Sequence, residues 1–212
     1  ATASNGKIYA VGGYCGSSSC GNYLATLEEA TIVLPNISPT VDAGGPYQAN
    51  EGGLVQVAAT GNDPENGSLS YAWDLDNNGS FDTPGQTVTF SAAGLDGPGS
   101  STIAVQVTDN CNLTATDQAS VTINNVNPTV GTINAPTTPV QVNTQVNASA
   151  SFTDPGVLDT HIAVWDWGDG STTVGTVTET NGSGTVSDSH IYAQSGVYTL
   201  SLTLTDDDSG VG

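Results

Sequence analysis

The sequence predicts an all-β chain: two β-sandwiches in tandem, preceded by a short β-rich segment. The first observation behind this is a phrase that occurs twice, Tyr71-Ala72-Trp73-Asp74-Leu75-Asp76 and Val164-Trp165-Asp166-Trp167-Gly168-Asp169. Asp63-Pro64 precedes the first copy and Asp154-Pro155 precedes the second, 91 residues later, while Trp73 and Trp165 stand 92 apart. A period of about 90 residues is too long for a solenoid unit and suits a small β domain. The second observation is the near absence of helical periodicity; only Tyr23 to Ala30 is helix-friendly, and it is short. The third is alternation. Ile103, Val105 and Val107 fall on one face and Ala104, Gln106 and Thr108 on the other, the pattern of a half-buried sandwich strand.

In chain order, residues 1–38 form an amino-terminal segment with two apolar runs, Lys7-Ile8-Tyr9-Ala10-Val11 and Thr31-Ile32-Val33-Leu34. Residues 39–126 form the first sandwich, with strands expected near 40–43, 55–59, 70–74, 87–90, 102–108 and 115–124. Turns rich in Gly and Pro separate them, as at Gly44-Gly45-Pro46, Glu51-Gly52-Gly53 and Asp96-Gly97-Pro98-Gly99. Asn125-Val126-Asn127-Pro128 is a short, proline-stiffened join. Residues 127–212 form the second sandwich, with strands expected near 130–133, 146–153, 161–166, 175–179, 184–190 and 197–205. Tyr198, Leu200, Leu202 and Leu204 give its cleanest amphipathic strand.

The copies differ at their ends. In the first, Thr108-Asp109 turns through 110–114 into a further strand. In the second, Thr205-Asp206 is followed by Asp207-Asp208-Ser209-Gly210 and then Val211-Gly212, without a closing strand. Surplus apolar runs at the start and a missing strand at the end suggest strand donation. Residues 1–38 of one protomer, with Lys7 to Val11 as a candidate strand, would cover the edge beside 197–205 of the next, giving a head-to-tail polymer by donor-strand complementation. A chain cut from a longer repeat protein would show the same mismatch. It begins with Ala and has no Met, as expected of a processed or excised piece.

Composition narrows the function. One basic residue, Lys7, stands against 21 acidic ones, for a formal net charge of −20. With no basic patch there is nothing to displace phosphate counterions, so nucleic-acid binding is excluded, as is docking to an anionic membrane surface. No apolar run is long enough to span a bilayer. Clustered aspartates without Lys or Arg neighbours require another counter-charge, and calcium is the natural one. Cys15 and Cys20 flank a small loop and could form a disulfide, leaving Cys111; three thiols are the alternative. Sequons at Asn36, Asn66, Asn78, Asn112, Asn147 and Asn181 fit a glycoprotein exposed outside the cell.

The landmarks resemble the PKD (polycystic kidney disease) family of immunoglobulin-like sandwiches over residues 39–212. In the second repeat the resemblance rests on Trp165-Asp166-Trp167-Gly168-Asp169-Gly170, Asp154-Pro155-Gly156, His190-Ile191-Tyr192 and Gly196-Val197-Tyr198. The first repeat keeps Gly45-Pro46-Tyr47 and Asp63-Pro64-Glu65 but has Trp73-Asp74-Leu75-Asp76-Asn77-Asn78-Gly79 in place of the signature. The resemblance implies two-sheet sandwiches, used as spacers or adhesive modules in extracellular proteins and as accessory domains of secreted hydrolases. Asn5 to Gly13 is similar to the opening of a kelch repeat, but it covers one strand pair and a propeller needs several blades.

Within the repeats, Asp74, Asp76, Asn78 and Asp82 place oxygens at positions one, three, five and nine of a calcium loop, with Gly79 at the sharp turn and Ser80 beside it as a further candidate ligand. Position twelve holds Gly85 rather than glutamate, so Asp63 or Asp109 would have to complete the shell. The alternative is an Asx-rich turn without metal. Asp154, Asp159, Asp206 and Asp208, beside Asp207, suggest a second cation site, with a solvated acidic loop as the alternative. Asp166 and Asp169 fit turn caps. Trp73 and Trp165 fit core positions better than sugar-stacking platforms. His161 and His190 have no evident nucleophile beside them, and the carboxylates sit in turns rather than across a cleft. The expectation is a non-catalytic, extracellular or cell-surface structural protein: a calcium-stiffened stalk or filament subunit that self-associates. The alternative is an accessory or spacer pair from a secreted hydrolase or adhesin, binding a surface polysaccharide or glycan.

Overall fold

The computed structural model describes residues 36–212 and, in backbone, the strand pair β1 (Ala25–Leu27) and β2 (Ala30–Ile32). Cys15, Cys20 and residues Lys7 to Val11 lie outside the described residues. Within the helix-friendly stretch, the described backbone is strand: β1 and β2 pair antiparallel, Ala25 opposite Ile32. Too few residues lie there to repay helix nucleation, whereas a ladder forms over three.

The chain forms two compact units. The first comprises Ala1–Tyr47, Val55–Phe90 and Ser101–Val121; the second comprises Gln48–Leu54, Ser91–Ser100 and Thr122–Gly212. Every regular element of the described residues is a strand. The early strands are β3 (Thr40–Asp42), β4 (Tyr47–Asn50), β5 (Leu54–Ala58), β6 (Thr60–Asn62), β7 (Leu69–Asp74), β8 (Thr83–Pro84) and β9 (Thr87–Ser91). Two long strands follow, β10 (Gly99–Asp109) and β11 (Thr114–Asn124), and β4, β5, β9, β10 and β11 have residues in both units. Strand order is β4-β11-β10-β7-β8 in one sheet, with β3-β6 and β5-β9 as separate pairs. In the first unit β7 and β10 set Trp73 opposite Val105 and Leu69 opposite Asp109. Ile103, Val105, Val107 and Val121 are buried, as alternation requires, and Trp73 is fully buried with its Nε1 donating to the Gly85 carbonyl (3.1 Å).

The second unit carries a two-sheet arrangement. One sheet has the order β12 (Thr129–Val130), β13 (Gln145–Thr153), β17 (Ser183–Ile191), β16 (Thr176–Glu179). The other has β15 (Thr172–Val174), β14 (His161–Asp166) and β18 (Ser201–Asp206). Strand β14 alternates strictly, burying His161, Ala163 and Trp165 while Ile162, Val164 and Asp166 stay exposed. Trp165 and Trp167, both 0% exposed, anchor a core with Phe152, Val186 and Leu204. Burying indoles of this size contributes roughly 4–6 kcal/mol each in transfer free energy. Gly175 is fixed by that packing, because a Cβ there would stand 2.8 Å from both Trp165 Nε1 and Val186 Cγ1.

Two strand expectations are corrected. Strand 197–205 shortens to Ser201–Asp206, leaving Tyr198 and Leu200 outside it. Tyr198 stacks on Tyr192 at 4.2 Å and its hydroxyl donates to the Gln194 carbonyl, so 192–198 curls on itself instead of extending. Leu200 and Leu202 still pack on the core. The end of the chain also turns back on β18: Thr205 bridges Val211, and the Gly212 N–H donates to the Leu204 carbonyl (2.9 Å). The strands β4, β6, β8 and β15, of two to four residues, are too short and polar for alternation to reveal.

Candidate metal centre

The same Asx lock is built in both units. Asp63 Oδ1 accepts from the Glu65 N–H (2.7 Å), and Asp154 Oδ1 accepts from the Gly156 N–H (2.8 Å). Asp109 Oδ1 accepts from the Cys111 and Leu113 N–H groups (2.7 and 2.9 Å), while Asn36 Nδ2 donates to its Oδ2 (2.7 Å). Asp206 Oδ1 accepts from the Asp208 and Gly210 N–H groups (3.0 and 2.6 Å), and Asn125 Nδ2 donates to both its oxygens (3.3 and 3.2 Å). Each lock ties the turn after a Thr-Asp strand to an Asn near the start of its repeat. These carboxylates are satisfied largely by N–H donors, which is how a short side chain stabilises a turn without metal.

The Asp74–Asp82 loop is a third construction. Asp74 is buried and accepts from the Asn78 and Gly79 N–H groups (3.1 and 2.8 Å). Asp76 accepts from the Asn78 side chain (2.8 Å), Asn78 Oδ1 from the Ser80 N–H (2.8 Å), and Asp82 from the Thr83 hydroxyl (3.2 Å). The expected help from Asp109 is corrected by register. Asp74 pairs with Ala104 and Asp109 with Leu69, at opposite ends of the β7–β10 ladder, about 17 Å apart at the strand rise. These two side chains cannot share an ion. Among the described residues, the loop carboxylates, Asp63 and Asp109 form no cluster of three.

Convergence occurs instead in the second unit. Glu51, Asp154 and Asp159, all buried, bring carboxylate oxygens within 4.8 Å of one another, as do Asp96, Asp159 and Asp208. Asp159 belongs to both sets. It is 7% exposed, and neither of its oxygens has a hydrogen-bond partner. Burial, then the charges of Glu51 and Asp154, push its carboxyl up to about 7. Gly156 makes room for it, since a Cβ there would collide with the Asp159 carboxylate. Glu51 turns one oxygen to the Val126 N–H (2.6 Å) and the other to the Gly97 N–H (3.1 Å). Burial raises its pKa against those bonds, with Asp154 and Asp96 adding to the rise. Asp208 is likewise raised, by partial desolvation and then by Asp96. At this spacing a pair of full like charges would repel by about 3.5 kcal/mol or more at an effective dielectric of about 20.

Among the described residues, the counter-charge beside these carboxylates is His161. Its Nε2 lies 3.1 Å from Asp154 Oδ2 and its Nδ1 2.6 Å from Glu179 Oε2, so both bonds form when the ring is protonated. Burial lowers its pKa, but Asp154 and Glu179 outweigh that and leave it raised. The sequence reading gathers Asp154, Asp159 and Asp208 but omits Glu51 and Asp96, and it includes Asp206, whose oxygens are taken by N–H donors. Glu51 and Asp96 lie in glycine-rich turns far away in sequence, where no spacing rule links them to Asp159.

A second grouping has the residue types of a catalytic triad without its geometry. Ser171 Oγ donates to Asp169 Oδ1 (2.5 Å), and His190 Nε2 faces both Asp169 Oδ2 (2.7 Å) and Ser171 Oγ (3.5 Å). A triad needs the carboxylate on one ring nitrogen and the hydroxyl on the other; here both meet the same nitrogen. The Ser171 hydroxyl, then His190, hold the Asp169 carboxyl down at about 2. His190 also stacks on Trp167 (5.1 Å) and meets Tyr192 edge-on (4.6 Å). It thereby joins an aromatic ladder that runs from Trp165 through Trp167, His190 and Tyr192 to Tyr198.

The PKD domain family model matches residues 125–212. No curated protein matches the chain. Among solved structures, Dpr2 Ig1-Ig2 in complex with DIP-Theta Ig1-Ig3 is similar at 9% identity over 84% of this chain and 63% of that one, with a TM-score of 0.34. The fibronectin(III)-like modules of Clostridium thermocellum CbhA share 14% identity over 81% of this chain and 88% of theirs, with a TM-score of 0.34. The human desmocollin-1 ectodomain shares 15% over 86% of this chain and 36% of its own, with a TM-score of 0.33. This chain therefore spans less than two thirds of the first and third.

Proposed function

We propose that the protein is a non-catalytic structural module of the extracellular or cell-surface kind, a calcium-stiffened stalk or filament subunit. The observation that carries this reading is where the chemistry-bearing side chains go. Carboxylates cap turns or crowd together, the two second-unit tryptophans are buried, and the histidines are held by carboxylates, so among the described residues no nucleophile is left beside a free base. Immunoglobulin-like sandwiches with satisfied turns suit load-bearing or adhesive spacing. The PKD match over 125–212 supports the same reading.

Assembly by strand donation is favoured by the edge of β18. That strand has β14 on one side; on the other, among the described residues, only the short return through Val211 and Gly212 meets it. A strand from residues 7–11 of another protomer would continue that return past Leu204. Negative-stain imaging and light scattering of the purified chain test this. Head-to-tail polymers that vanish on deletion of residues 1–38 are expected; monodisperse monomers indifferent to the deletion would end it.

A further inference from the structure

We propose that the second unit holds a two-calcium centre in which Asp159 bridges the ions. Glu51, Asp154 and Asp159 hold the inner ion, and Asp96, Asp159 and Asp208 hold the outer one. A cluster of carboxylates by itself means little, because exposed acidic groups commonly stand together in water. What sets this one apart is Asp159, a side chain more than nine-tenths buried whose two oxygens meet no donor while facing two groups of carboxylates. Every other buried aspartate described above has N–H donors on at least one oxygen. Once ionised, Asp159 is acceptor-only, and a carboxylate desolvated this far needs a donor or a cation. The sequence supplies no Lys or Arg beyond Lys7, and His161 is occupied by Asp154 and Glu179.

The chemistry of the set selects the ion. All available ligand atoms are oxygens, which suits a hard cation. Oxygens that all lie within 4.8 Å of one another can share an ion, and a set built of several carboxylates suits calcium, because magnesium dehydrates reluctantly and keeps several waters. The carboxylates come from separate turns, around residues 51, 96, 154–159 and 208, with Glu51 also fastened to the Val126 N–H of the join. Bound ions would clamp these turns to one another, and this deepens the stalk reading by giving its stiffness a seat.

Calorimetric titration of the full chain, stripped with EDTA and titrated with calcium alone or magnesium alone, tests the centre alongside thermal melting. Two calcium ions per chain are expected, with magnesium weaker. Saturating calcium at about a hundredfold over Kd adds about 2.7 kcal/mol at each of the two sites and should raise Tm by about 10–20 °C. Asp159→Asn should lose both ions yet melt no lower than the parent in EDTA. Asp96→Asn, at an exposed position, should fold normally and lose one ion. Asp74→Asn with Asp76→Asn should still bind two. No calcium binding, a stoichiometry of one for the parent, or two ions retained by Asp159→Asn would each overturn the centre. A chain that binds two ions but stays monomeric supports the centre and overturns assembly alone.

Discussion

The Asn-Asp turn lock appears once in each unit, and what surrounds it differs. Around Asn36, Asp63 and Asp109, hydrogen bonds from nearby N–H groups do nearly all the work, with Asp63 Oδ2 and Glu65 Oε2 the buried oxygens left over. Around Asn125, Asp154 and Asp206 the same bonds recur, but Glu51, Asp96, Asp159 and Asp208 crowd in as well. Folding explains the lock, because a repeat that ends a strand in Thr-Asp must cap the following turn. It does not explain Asp159, whose carboxylate opposes folding when charged and uncompensated. The difference separates carboxylates that turn hydrogen bonds account for from one, Asp159, that they do not.

The strongest test of that separation removes the locks themselves. Asp109→Ala and Asp206→Ala each strand at least two backbone N–H donors, and each should cost about 2–4 kcal/mol in urea unfolding with EDTA present. Opposite behaviour is expected at Asp159, where Asp159→Asn should gain about 1–3 kcal/mol in EDTA; a loss of that size would erase the distinction. The pH profile carries the same sign. The unfolded Asp159 carboxyl ionises near 3.9, whereas the folded one is raised to about 7. Across that window the folded state keeps a proton that the unfolded state has released, so Tm in EDTA should fall as pH rises from about 4 to about 7. Calcium, or Asp159→Asn, should flatten the slope. Smaller still is Asp74→Asn, at about 1 kcal/mol, since the amide keeps one acceptor for the Asn78 and Gly79 N–H groups. Asp76→Asn and Asp82→Asn, both exposed, should stay within about 0.5 kcal/mol.

Much of the fold is legible in the sequence because alternation is a local property. The pattern Ile103-Val105-Val107 and the strict in-out order of β14 can be read without knowing any partner strand. The Asp74 loop shows how local pattern misleads. Its spacing suits a cation, but the same Asx residues also suit a turn, and the structure gives Asp74, Asp76 and Asn78 N–H donors and Asp82 a hydroxyl donor. Asp154, Asp159 and Asp208 can be gathered from the repeat landmarks. Glu51 and Asp96 cannot, because what brings them to Asp159 is the packing of distant glycine turns. The length of β18 was hidden for a related reason, as Tyr198 alternates like a strand residue while stacking on Tyr192.

The aromatic ladder from Trp165 to Tyr198 has an optical consequence. Indoles 5.7 Å apart, and tyrosine rings 4.2 Å apart, couple their transitions, so the second unit should give a strong near-ultraviolet circular dichroism signal. Trp73, in the other unit, stands apart from that ladder. The melting of the two units can therefore be followed separately in one unlabelled sample.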